Sequence, residues 1–321
     1  MTDEKAALLE IDNLSVFIHT HRGPVRAVEN TTFTIERGET FALIGESGSG
    51  KSILGLAVMR LLSPAAEVSG AIRLNSVDLG EIPEKEMQEI RGKSIGAIAQ
   101  NPYLSMNPVM RVGDQIAEPM VTHLGMNREE AKERTRSVLK FFDITPPEIR
   151  YREYPYQYSG GMLQRAMVAM GTAAEPELII ADEPTKGVDV IKKRNIAATF
   201  RKVTGDGCAF LLITHDIEFA RAMSDRIGVN YCGQILEIAR TWDFFEEPLH
   251  PYSKALLESL PENGMKPIPG DPPSMIDVPE GCRFHPRCPY ATDRCKTPPP
   301  FVKREADENY GERYVRCWLH A

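Results

Sequence analysis

The chain has 321 residues, enough for one large domain or two smaller ones with a substantial core. Hydrophobic residues make up 42% and charged residues 26%, the balance of an ordinary soluble globular protein. A formal charge of −7 argues against wrapping DNA or RNA, because phosphate contacts need clustered Lys and Arg.

The start, Met1-Thr2-Asp3-Glu4-Lys5, has no apolar secretory core, and no stretch approaches the apolar length of a membrane span. A cytoplasmic location is expected, with membrane association only through a partner. In that compartment the six cysteines are expected to be thiols or metal ligands. Leu8 to Ile18 and Val25 to Ile35 read as strands separated by a polar turn. Phe41 to Ile44 is a short apolar strand, and Ile53 to Leu62 is helix-like. Val68 to Leu79 reads as further sheet, and Ser94 to Ala99 as a buried strand ending at Gln100. The region 101–165 is richer in helix signals, with Asn127 and Glu130 as a capping pair, and is expected to be a helical insert. Leu178 to Ala181 and Ala209 to Ile213 are unbroken apolar runs, as in strands covered on both faces. Helical stretches near Val190 to Val203 and Ile217 to Met223 alternate with them, which makes the class α/β with a parallel sheet. Beyond residue 240, Pro261, Pro267, Pro269, Pro272, Pro273 and Pro279 mark a stiff linker, expected over 241–280 without regular helix or sheet. A small Cys-rich extension, 281–321, follows.

Gly45-Glu46-Ser47-Gly48-Ser49-Gly50-Lys51-Ser52 fits the phosphate-loop pattern, and its strand–loop–helix setting is what the motif requires. The glycines let successive N–H groups turn toward phosphate oxygens, and the helix start adds its positive dipole end. Lys51 brings a charge to the outer phosphates, and the Ser52 hydroxyl suits Mg²⁺. Asp182 and Glu183 end an apolar strand, where ligands of parallel sheets bind. Asp182 is expected to hold Mg²⁺ through water and Glu183 to polarise the attacking water. Ser159, Gly160 and Gly161, followed by Met162, Leu163 and Gln164, make a second glycine-rich helix start and so a second anion site. One nucleotide does not need two cradles from one chain, whereas two chains packed head to tail do.

On these motifs, in this order, the chain resembles the ATP-binding subunits of ABC transporters. The resemblance implies a P-loop NTPase fold: a RecA-like parallel-sheet core with an antiparallel β subdomain and the helical insert, together spanning residues 1–240. It implies that Gln100 touches Mg²⁺ and faces the membrane subunits, and that Ser159 to Gln164 is the signature motif. It further implies that Asp189 faces the partner's site and that His215, just after a strand, contacts the γ-phosphate. The family's adenine-stacking aromatic aligns with Ile18, beside Phe17, and the segment Lys186-Gly187-Val188-Asp189 departs from the family's commoner Ala-Leu-Asp form. Expected partners are two separate permease subunits, a second homologous ATPase chain and, through the complex, an external solute-binding protein. A soluble non-transport ATPase acting on DNA or ribosomes is the rival class, but its usual coiled-coil arms or second nucleotide domain are not apparent.

Pro248-Leu249-His250-Pro251-Tyr252 and the Cys-rich end resemble the C-terminal extension of oligopeptide and dipeptide importer ATPases, with nickel importers as near relatives. Cys282, Cys288, Cys295 and Cys317 are spaced C-x5-C-x6-C-x21-C. Four thiolates suit a 4Fe–4S cluster or a tetrahedral zinc, and the absence of a C-x2-C pair makes zinc the second choice. The resemblance implies the 4Fe–4S cluster, since some members of the family carry one here. Cys208 and Cys232 read as small buried hydrophobes, and His250 and His285 as structural.

Overall fold

The computed structural model describes residues 7–186, 190–204 and 207–321, with the backbone alone over 190–195. By contacts the chain divides into two compact units. The first holds the chain up to Leu8, Ile35–Thr40 and Glu81–Leu212; the second holds Leu9–Thr34, Phe41–Gly80 and Ile213–Ala321.

In the first unit the strands Ala209–Thr214, Leu178–Asp182 and Ile95–Ile98 lie in that order. Ile95–Ile98 runs parallel to Leu178–Asp182, with Ile95 opposite Leu178 and Ile98 opposite Ala181. Leu178, Ile179, Ile180 and Ala181 are all buried, as expected of a strand covered on both faces. The expected insert is helical: Val112–Leu124, Arg128–Phe141 and Gly160–Thr172 are its principal helices. Asn127 and Glu130 form the expected capping box, which satisfies first-turn donors of Arg128–Phe141. Tyr151 ties the insert together: its hydroxyl donates to Asp114 Oδ1 at 2.7 Å.

In the second unit one sheet has the order Gly23–Glu36, Ala7–Thr20, Ala66–Leu74, Val77–Asp78. Ala7–Thr20 pairs antiparallel with Ala66–Leu74, Leu9 opposite Leu74 and Ile18 opposite Ala66, with an irregularity between Asp12 and Ser15. This is the expected antiparallel β subdomain. The unit's other strands follow the order Val302–Arg304, Arg313–Val315, Gln234–Arg240, Arg226–Tyr231, Thr40–Ile44. Thr40–Ile44 is parallel to Arg226–Tyr231, and every residue of it is buried. The Cys-rich end thus adds two short strands to the sheet that carries the phosphate loop.

The stretch 241–280 departs from expectation. Thr241–Glu246 and Pro251–Glu258 are helices. Proline at the first position of a helix costs no hydrogen bond, so Pro251 starts a helix instead of preventing one. The His250 ring caps it, Nδ1 accepting from the Tyr252 N–H at 3.0 Å. The buried Glu237 carboxylate accepts from the Leu249 and His250 N–H groups at 2.8 Å each. From Pro261 onward only single turns interrupt an irregular chain, until the strand Val302–Arg304. Among the described residues no helix is long and apolar enough to cross a membrane.

Candidate functional site

The phosphate loop follows the buried strand Thr40–Ile44 and leads into the helix Lys51–Val58. Gly45 has φ 150° and Gly50 φ 100°. A Cβ at Gly45 would lie 2.1 Å from the Asn230 carbonyl oxygen, and one at Gly50 would lie 1.9 Å from that of Ala27. Glycine is therefore required twice over at these positions, by backbone conformation and by space. The Lys51 ammonium is buried and donates to the Gly45 and Glu46 carbonyls at 2.9 Å each and to Ser49 Oγ at 3.3 Å. It is folded back over its own loop. Asn230 Nδ2 donates to the Ser49 carbonyl at 2.6 Å, as does the Gly233 N–H at 2.8 Å, so the loop is anchored from the neighbouring strand pair. Ser52 is exposed at the helix start, as is His215, just past the strand Ala209–Thr214. Loop and His215 belong to the second unit.

The first unit carries Gln100, Ser159 to Gln164, Asp182 and Glu183. Gln100 is half-buried two residues after the strand Ile95–Ile98. Ser159 is the N-cap of the helix Gly160–Thr172, its Oγ accepting from the Met162 N–H at 3.3 Å. Ser159 and Gly160 are exposed, so this helix start is open to a ligand. Gln164 does not share that exposure. It is buried, and its Nε2 donates to the Pro184 carbonyl. That hydrogen bond ties the helix Gly160–Thr172 to the turn after Glu183. Asp182 is half-buried at its strand end and Glu183 is buried with φ 48°, the left-handed region. A non-glycine residue held there is uncommon. Asp189 lies outside the described residues.

Of the tail, Cys282, Cys288, Cys295 and Cys317 are free thiols. All four line one cavity of about 200 Å³, together with His250 and Trp318. Burial foremost, with smaller contributions from the neighbouring thiols, pushes Cys282 up to about 11. Burial likewise raises Cys288 and Cys317. Among the described residues no three His, Cys, Asp or Glu are placed to hold one metal ion. Cys208 and Cys232 are buried, and burial pushes them up to about 12 and about 11, consistent with inert core thiols.

The model of the ABC transporter family matches residues 28–186, from the second strand through the phosphate loop to the acidic pair. The chain is 39% identical to the oligopeptide transport ATP-binding protein AppD of Bacillus subtilis, over 98% of this chain and 97% of that one. It is 39% identical to the dipeptide transport ATP-binding protein DppD of Escherichia coli, over 94% of each. The chain belongs to the ABC transporter family, as an ATP-hydrolysing subunit. Residues 236–295 of this ABC subunit match the model named oligopeptide/dipeptide transporter, C-terminal region, which takes in Pro248–Tyr252 and the first three cysteines of the set. A solved dimeric ATP-binding cassette in a post-hydrolysis state, bound to ADP and Pi, superposes with a TM-score of 0.65 at 25% identity. The match covers 73% of this ABC subunit and 98% of that chain.

No sequence signal pointed to Tyr252, Arg287 or Asn230 as contacts of the phosphate loop. The only hint was that Tyr252 and Arg287 fall inside the family-like C-terminal motifs.

Proposed function

We propose that this subunit hydrolyses ATP to drive uptake of oligopeptides or dipeptides through separate membrane permease subunits, from the cytoplasmic face of the membrane. The observation that carries the cargo class is the match of 236–295 to the peptide-transporter C-terminal region, joined to near full-length likeness to peptide transport ATPases. Nickel or another metal chelate as cargo, and a soluble role on DNA or ribosomes, have no such support. Residues 1–240 serve as the nucleotide-binding domain, with 101–165 turned to the permeases, and 241–280 with 281–321 as the family's C-terminal extension.

The loop Gly45 to Ser52 holds the triphosphate, with Lys51 on its outer oxygens. Ser52, Asp182 and Gln100 are the residues that would hold Mg²⁺, which supplies charge neutralisation when bound. Glu183 takes the proton of the attacking water, and His215 steadies the γ-phosphate. Ser159, Gly160 and Gly161 serve the nucleotide of a second ATPase chain, a homologue or a second copy, with Asp189 at the same junction. The exposed Ser159-capped helix start supports that reading. In the assembled complex, Glu183→Gln should lower ATP hydrolysis by about 10²- to 10⁴-fold while nucleotide binding persists. An unchanged rate would overturn the assignment.

The four thiols are read as ligands of a 4Fe–4S cluster. Their convergence on one cavity supports this reading, although among the described residues no group is placed to hold a metal ion. The cluster would supply a covalent staple and a redox-active centre.

A further inference from the structure

Glu46 is the only acid in the stretch Gly45 to Ser52. A carboxylate beside a triphosphate repels it unless a cation neutralises it. That cation comes from the C-terminal extension: Arg287 Nη1 lies 3.2 and 3.1 Å from the two Glu46 carboxylate oxygens. The pair is well shielded from water, the arginine side chain being 6% and the glutamate 25% exposed. The guanidinium is itself fixed. Nη1 also donates to Tyr231 Oη at 3.1 Å, and Nε donates to the Pro269 carbonyl at 2.8 Å.

A second contact reaches the same residue by another route. The Glu46 N–H donates to Tyr252 Oη at 3.1 Å. Tyr252 is fully buried, 4.6 Å from the Tyr231 ring and 5.3 Å from that of Phe284, centroid to centroid. One glutamate is thus gripped at its carboxylate and at its peptide, both times by residues beyond 240.

We infer that Arg287 and Tyr252 are positioning residues for nucleotide binding. Arg287 cancels and holds the Glu46 charge, and Tyr252 fixes the Glu46 peptide, so the C-terminal extension is part of the working phosphate loop. This rests on the nucleotide reading of that loop.

The test is titration of the full-length chain with a fluorescent ATP analogue at low salt, with nucleotide-free melting temperature as the folding control. Arg287→Met leaves a shielded, unpaired carboxylate at the loop and should weaken binding by about tenfold or more. Glu46→Gln added to Arg287→Met removes the unpaired charge and should recover most of the lost binding. The Arg287→Met deficit should also shrink at high salt. A merely structural role for Arg287 would leave the double variant as weak as Arg287→Met, which overturns the proposal, as does unchanged binding by Arg287→Met. If Arg287→Met does not fold, Tyr252→Phe decides: weaker binding at an unaltered melting temperature supports the proposal, and unaltered binding ends it. Lys51→Ala, run alongside, separates the two readings. If Lys51→Ala binds as well as the unsubstituted chain, the nucleotide reading of the loop fails. If Lys51→Ala abolishes binding but Arg287→Met does not weaken it, only the positioning role fails.

Discussion

Gly48 and Gly50 are spelled alike in the loop pattern, but the molecule treats them differently. Gly48 has φ 77° with nothing within 4 Å of an added Cβ, whereas Gly50 at φ 100° has the Ala27 carbonyl oxygen 1.9 Å from it. Gly48→Ala should therefore cost only the left-handed backbone penalty, about 1–2 kcal/mol. Gly50→Ala adds a clash with backbone that cannot rotate away, and should cost at least about 2–4 kcal/mol. Urea unfolding of the two variants checks the order; equal midpoints would contradict it. The motif was legible because its residues are contiguous. The reason for each glycine was not, since Ala27 and Asn230 approach from other strands. The left-handed Glu183 and the inward-turned Gln164 were equally invisible: spacing names a residue type but says nothing of φ or of which carbonyl a side chain meets.

At the level of elements, local signals did well where they were local. The capping box at Asn127 and the helix Ile217–Met223 appear as expected. Proline density misled over 241–258, because Pro251 occupies the first helical position, which needs no N–H donor, and the stabilising acceptor, Glu237, is distant in sequence. That helix start carries a pH signature. Burial, more than any neighbour, depresses His250 to about 3. Its ordinary value is about 6.5, so below that pH the unfolded chain takes up a proton that the folded chain refuses. Stability is full above about pH 6.5 and falls by about 1.4 kcal/mol per unit on acidification toward pH 3. His250→Asn keeps a capping oxygen and has no such proton. Between pH 7 and pH 5 the unsubstituted chain should lose about 2 kcal/mol more than His250→Asn. Glu237, whose pKa burial raises, acts in the opposite sense but is present in both proteins, so it cancels in the difference. Parallel denaturation curves at both pH values would refute this.

Across the whole chain, the sequence divides by composition at 240 and 280, whereas contacts group Ile213–Ala321 with Leu9–Thr34 and Phe41–Gly80. The reason is long-range pairing: Val315 faces Glu237, and Arg283, 2% exposed, reaches Glu29 Oε2 at 2.6 Å and the Cys232 carbonyl. Such contacts leave no periodic trace in the sequence. The extension is the seat of the proposed cluster. Anaerobically purified full-length chain should contain about four iron and four acid-labile sulfide per molecule, lost in Cys282→Ser. Stoichiometric zinc without iron would remove the cluster reading.

The chain has two tryptophans. Trp242 is 72% exposed, while Trp318 borders the thiol cavity, its indole N–H donating to the Thr297 carbonyl at 3.0 Å and the Arg294 guanidinium 3.9 Å from its ring. Iron–sulfur centres absorb in the near ultraviolet and drain the emission of an adjacent indole, whereas d¹⁰ zinc does not. The molecule thus carries its own lamp: with Trp242 replaced by Phe, what enters the cavity can be followed by the glow of Trp318, with no label attached.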